Sequence, residues 1–284
     1  MREIPNSGRI KLTHMSILNL LKHSLYYQDH QPASDHAVLL LHGLGVSSDS
    51  WALQIPVLVE AGFRVIAPDT RGFGRSCYPG RASIALMVQD FIDLLDALQI
   101  HRADVVGLSM GGTQALQLAL DHPTRLRRLV LANTFASLRP RSLNVWAYFI
   151  LRFGMVHLLG IETQANYVAK RIFPLPEHAI IRQEMIAQVR QASPAGYRAA
   201  MRSLGLFDVT RRLGELHLPT LVITGDRDTT VPPGVQSILV QRIPGAYQVI
   251  IPGAGHAASV EDPQAFNQAL IAFLSAANSI SKCC

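Results

Sequence analysis

Cysteine is scarce in this chain. Only Cys77, Cys283 and Cys284 occur in 284 residues, and two of them are adjacent. That leaves no disulfide framework, no metal-ligand spacing and no four-residue prenylation signal. Charge is also sparse: 16% of residues are charged against 49% hydrophobic, the balance of a globular chain rather than a disordered one. The N-terminal stretch MREIPNSGRIKLTHMS has no apolar run of the kind a signal peptide needs, so residues 1 to 14 read as a loose extension and the expected location is cytoplasmic. No helix-turn-helix, finger or aromatic RNA-binding signature accompanies the net charge of +6, so nucleic acid is not an expected partner.

What charge there is, is uneven. Arg139 to Arg212 holds 11 Lys/Arg against 4 Asp/Glu, or +7, which leaves −1 for the rest of the chain. A solvated helical surface is the plainer reading of this excess, and attraction of anionic substrates is the sharper one. The same segment contains SLNVWAYFILRFGMVHLLG, nearly long enough to span a bilayer. Arg152 and His157 interrupt it, and one charge near the centre costs about 2.5–3.5 kcal/mol on insertion scales. The expectation is a packed helix, not a membrane span.

Short apolar runs, rich in β-branched residues, recur at Ala37 to Leu41, Phe63 to Ala67, Val105 to Gly107, Arg128 to Ala132, Thr220 to Thr224 and Tyr247 to Ile251. Such runs suit strands covered on both faces. Helix-length stretches separate most of them. Ser83 to Leu98 has an N-cap candidate in Ser83 and an apolar stripe, and Pro263 to Leu274 has Asp262 as cap. The pattern predicts an α/β fold with a mostly parallel, twisted sheet and helices on both faces. Alternation fails between about Phe135 and Leu218, where no convincing strand is found. The expected organisation is a core of residues 1–134 and 219–284 with a helical insertion over 135–218.

The sharpest local signal is DVVGLSMGGTQALQLAL, residues 104 to 120. An apolar strand gives way to a helix at Ser109, inside the pattern G-x-S-x-G. A Gly-rich packing turn would also fit the pattern. Its place between strand and helix favours a nucleophile elbow, with the hydroxyl held at the tip of a strained turn. Serine needs a base. His256, in the loop IPGAGHAASVEDP after the last strand, lies at the same sheet edge. The stretch LVITGDRDTTVPP supplies an acid, Asp226 or Asp228, to orient that histidine. The Leu44 amide, after the strand ending in LLLHGLG, and the Met110 amide are candidates for an oxyanion hole.

Taken together, LLLHGLG, VIAPDTRGFGRS, VVGLSMGG, LVITGDRDTTVPP and IPGAGHAASVEDP resemble the α/β-hydrolase superfamily over roughly residues 24 to 276. The resemblance selects Asp228 over Asp226, which is left to brace its turn, and implies the catalytic set Ser109, Asp228 and His256. It makes residues 135–218 a cap, with Trp146, Tyr148, Phe149 and Phe153 as candidates to line an acyl pocket, although plain packing of cap on sheet fits them equally well. Asp69 and Arg71 are expected to fix their loop. A serine at 109 disfavours the epoxide hydrolases and haloalkane dehalogenases, which use aspartate, and Ala257 disfavours the carbon–carbon bond hydrolases. The motifs are most similar to those of enol-lactonases and small carboxylesterases. The implied activity is hydrolysis of a small carboxylic ester or lactone through an acyl-enzyme on Ser109, without metal or organic cofactor. A carbon–carbon hydrolase, a cofactor-free perhydrolase or haloperoxidase, and a slow-turnover ligand receptor remain as alternatives.

Overall fold

The computed structural model describes residues 14–31, 33–138 and 143–276. Eight strands form one sheet: β1 (His14–Asn19), β2 (Ser24–His30), β3 (Ala37–Leu41), β4 (Arg64–Pro68), β5 (Ala103–Leu108), β6 (Leu126–Ala132), β7 (Thr220–Gly225) and β8 (Tyr247–Ile251). Their spatial order is β1-β2-β4-β3-β5-β6-β7-β8. The first two strands run antiparallel to their neighbours, and β4 through β8 pair in parallel. The six runs expected from the sequence are β3 to β8. The β1–β2 hairpin was not expected. Met15 and Ile17 on β1 are 64% and 62% exposed, so no buried apolar face marks the strand.

Alternation along the strands sorts side chains onto two faces. Leu39, Leu41 and Val105 pack on one side against α2 (Ile84–Ala97) and α3 (Met110–Asp121). Val38, Leu40 and Val106 pack on the other against α1 (Ile55–Glu60) and α10 (Pro263–Ser275). Ser83 caps α2 by accepting from the Leu86 amide, and Asp262 caps α10 by accepting from the Ala265 amide, as their sequence positions suggest.

Between β6 and β7 the chain forms α4 (Leu143–Gly154), a π-helix (Met155–Leu159), α5 (Gly160–Ile172), α6 (Ala179–Gln191) and α7 (Pro194–Leu206). Within the described residues of this stretch, the only β pairing is an isolated bridge between Ser137 and Asp208. Three further helices complete the fold: α8 (Pro233–Arg242), α9 (Ala258–Glu261) and α10. Among the described residues no helix is long and apolar enough to cross a membrane.

Candidate active site

Parallel strands place their carboxyl ends on one edge, and the loops leaving β3, β5, β6, β7 and β8 meet there. Ser109 leaves β5 at φ 53°, a left-handed conformation that costs a non-glycine residue energy. Its neighbours make the turn possible. A Cβ on Gly107 would overlap the Gly111 carbonyl, and one on Gly111 would overlap the Leu41 carbonyl. The turn is pinned by the Ser109 amide donating to the Ala132 carbonyl (2.9 Å) and by Thr134 Oγ1 donating to the Ser109 carbonyl (2.6 Å).

Ser109 Oγ lies 3.0 Å from His256 Nε2, and His256 Nδ1 lies 2.9 Å from Asp228 Oδ2. A carboxylate only accepts, so Nδ1 carries the ring proton and Nε2 faces the serine hydroxyl as an acceptor. His256 and Asp228 are 7% and 3% exposed. Asp228 Oδ1 accepts from the Thr230 and Val231 amides, each at 2.8 Å, and Oδ2 also accepts from Asn133 Nδ2 and Gln236 Nε2 at 3.0 and 3.1 Å. Burial pushes this carboxyl upward, but the adjacent His256 and these donors outweigh it, and the group stays below the ordinary carboxylate range. Asp226 instead accepts from the Gly253 amide at 2.7 Å and braces the β7 and β8 loops against each other.

Several residues of this cluster gave no sequence signal of their own. Asn133, fully buried at φ 46°, also donates to the Gly255 carbonyl at 3.0 Å, tying the loop of Asp228 to the loop of His256. Glu261 accepts from the amides on either side of His256, Gly255 at 2.8 Å and Ala257 at 3.1 Å. Its place five residues beyond the histidine carried no mark of such a brace.

A cavity of about 220 Å³ opens beside the serine, with Ser109, His256, Gly43 and Leu44 in its wall. Met110 is the first residue of α3, whose leading amides have no acceptor within the helix. From the helices between β6 and β7, the lining includes Val168, Ile172, Phe173, Ile181 and Met185. The side chains of Trp146, Tyr148 and Phe149 lie outside the described residues. Phe153 is described, and it does not line the cavity: it is 42% exposed and stacks on His157 with ring centroids 4.0 Å apart. Next to it Arg152 is in the cavity wall, and Met155 and Val156, at the start of the π-helix, are buried. Arg71 pairs with Asp90 at 2.5 and 2.6 Å and caps the Arg81 and Leu86 carbonyls, while Asp69 accepts from the Ser48 and Arg75 amides, each at 2.8 Å. Both brace their loop. Among the described residues no cluster of three or more His, Cys, Asp or Glu could hold a metal ion.

Known proteins share this arrangement of strands and loops. The model of the alpha/beta hydrolase family matches residues 38–269. The protein named "Putative carbamate hydrolase RutD" from Variovorax paradoxus is 37% identical over 262 residues, spanning 88% of this chain and 96% of its own. The 3-oxoadipate enol-lactonase 2 of Acinetobacter baylyi is 32% identical over 257 residues, covering 88% and 93%. Among solved structures, an enol-lactonase from Burkholderia xenovorans LB400 superposes with a TM-score of 0.84 at 28% identity, covering 92% of this chain and all of that one. With a family match over most of its length and relatives of this likeness, the chain belongs to the alpha/beta hydrolase family and is a hydrolase.

Proposed function

We propose that this hydrolase cleaves a small carboxylic ester or lactone through an acyl-enzyme on Ser109. The observation that carries the reading is the relay from Ser109 through His256 to Asp228, with hydrogen-bond distances at both steps, in the wall of a cavity at the strand ends. In this mechanism Ser109 Oγ bonds to the carbonyl carbon as its proton passes to His256 Nε2. Asp228 stabilises the imidazolium and keeps the ring oriented. The Leu44 and Met110 amides face the developing oxyanion, each such donor being worth about 2.7–4 kcal/mol in comparable sites. Collapse breaks the bond to the leaving oxygen, which takes the proton from His256. Water then attacks the acyl-enzyme, giving its proton to His256, and the acid is released as Ser109 regains its hydrogen. With a lactone, the leaving alcohol stays attached to the acyl chain.

Residues 135–218 act in this reading as a cap on a core of residues 1–134 and 219–284. The cavity is smaller than the roughly 300–1,000 Å³ of drug-sized pockets, which favours short acyl groups. The name of the Variovorax relative supports a second reading, a carbamate carbonyl attacked by the same serine. Turnover of p-nitrophenyl acetate, butyrate, octanoate and laurate, with ethyl carbamate alongside, separates these. The expected result is an optimum at acetate or butyrate and a loss of about 10⁴-fold or more in Ser109→Ala. A variant that retains turnover within tenfold of wild type would remove Ser109 from the chemistry. Turnover of the carbamate above every ester would shift the substrate class.

A further inference from the structure

One face of α6 looks into the cavity. Ile181, Glu184, Met185 and Gln188 recur at helical spacing, and all four line it. Gln188 Oε1 accepts from the Ser47 amide at 3.1 Å and from the Ser47 hydroxyl at 3.4 Å. A backbone N–H can only donate, so this contact settles which end of the side-chain amide is oxygen. Nε2 is turned away from the Ser47 loop and has no partner among the described residues. It is also not one of the polar atoms sealed inside the protein without a partner, so it reaches open space on the cavity side of its helix.

The contact with Ser47 does not need that nitrogen. Ser47 caps the short 3-10 helix Ser48–Trp51, and a glutamate carboxylate would accept from the same amide and hydroxyl more strongly. What glutamine has and glutamate lacks is a neutral NH2 group with two N–H donors. Leu44, Val46 and Met185 stand in the same cavity wall. A substrate that fills the cavity takes water away from these donors. A hydrocarbon chain leaves them unpaired, which is costly for a buried polar group, whereas an acceptor oxygen pairs with them. A site with such a donor selects against analogues that lack the acceptor.

Building on the proposed serine mechanism, we infer that Gln188 is a specificity residue whose Nε2 donates to a second, neutral acceptor oxygen of the substrate, a few atoms from the scissile carbonyl. One end of the substrate then lies at Ser109 and the other at α6. Because Oε1 is tied to the loop that carries Leu44, the donor keeps a fixed place relative to the proposed oxyanion amides. Gln188 acts on binding, not on bond making.

The test uses a matched pair, ethyl 3-methoxypropanoate and ethyl pentanoate, which differ by an ether oxygen in place of a methylene. Hydrolysis is followed by alkali uptake at pH 8 in the wild-type protein, Gln188→Glu and Gln188→Met. The quantity read is the ratio of kcat/KM on the two esters, in which any loss common to both cancels, including one from a shifted oxyanion loop. Wild type is expected to prefer the ether ester by about tenfold. Gln188→Glu keeps an acceptor for Ser47 but presents no donor, so its ratio should fall to one or below, through KM. Gln188→Met removes both contacts: its ratio should also fall to one, and both esters should slow together. No preference in wild type, or a preference that survives in both variants, overturns the inference, and turnover of p-nitrophenyl acetate in the same wild-type sample shows that the serine reading still stands. If wild type turns over no ester at all, the serine reading is what fails. Calorimetric binding of the two esters to Ser109→Ala, with and without Gln188→Glu, then decides the donor: tighter binding of the ether ester that needs Gln188 sustains it, and equal or absent binding ends it.

Discussion

Asn133 adds a buried tie between two loops that Asp226 and Gly253 also brace. Its amide donates both to Asp228, the proposed acid, and to the carbonyl of Gly255, beside the proposed base. Replacing it by alanine would combine two losses, the amide and the tolerance of asparagine for φ 46°. Asn133→Gly separates them, because glycine accepts that backbone freely. We expect Asn133→Gly to cost about 1–3 kcal/mol in denaturant unfolding, as a buried acceptor loses its donor. Ester turnover should drop by at least tenfold as His256 and Asp228 lose their mutual placement. Wild-type kcat in Asn133→Gly would show that the remaining donors to Asp228 suffice. The Ser109 turn was legible in the sequence because its close backbone approaches demand glycines at fixed spacing. Asn133 was not, since an asparagine after a strand resembles any strand end until the β7 and β8 loops close over it.

The helices between β6 and β7 do not simply lie over the sheet; they seat on the loop that carries Leu44. Gly45 has φ 91°, and a Cβ there would stand 3.0 Å from both Tyr197 and Val189. Gln188 on α6 accepts from the Ser47 amide at 3.1 Å, and the Ser193 amide, at the start of α7, donates to the Gly72 carbonyl at 2.8 Å. Moving α6 or α7 therefore moves the loop proposed to hold the oxyanion. Gly45→Ala tests this coupling, and Gly80→Ala is its control: Gly80 has φ 83° but no atom within 4 Å of an added Cβ. Both should lose about 1–2 kcal/mol to backbone strain, read as a lower midpoint of thermal unfolding. Only Gly45→Ala should also lose ester turnover, by tenfold or more. Similar turnover in the two variants would uncouple the helices from the loop. Helices α2 and α10 were legible because caps and an apolar stripe agree. The inward face of α4 was not. Aromatic residues suggested the pocket side, whereas Phe153 points outward and Arg152 inward, a reversal that hydrophobicity alone cannot signal.

Covering both faces of a sheet forces polar groups into the interior of the whole molecule, and these set how the fold answers to pH. His42 is fully buried, with Nδ1 donating to the Gly43 carbonyl at 2.8 Å and Nε2 accepting from the Thr70 amide at 2.9 Å. A second proton would have to sit at Nε2, against an N–H that already points there. Burial holds His42 below the ordinary histidine value of 6.5, and burial does the same to His30. The unfolded chain takes up these protons near pH 6.5 while the folded chain does not, so the unfolded state binds more protons and stability falls as pH drops below 6.5. The slope is at most about 1.4 kcal/mol per pH unit for each group. Asp104 and Glu261 work in the opposite direction. Burial raises both, so each favours the folded state as pH falls through its folded value toward the unfolded one. Asp228, held low, keeps its contribution until pH falls below the ordinary carboxylate range. The histidine effect therefore precedes the loss of the Asp228 contribution on acidification. Urea unfolding at pH 7.5, 6.5, 5.8 and 5.2 should show stability level to about 6.5 and then declining. His42→Asn should be less stable at every pH but decline less steeply below 6.5, since the titrating group is gone. A wild-type profile that stayed flat to pH 5.2 would mean the buried imidazole takes its proton as readily inside the fold as outside it.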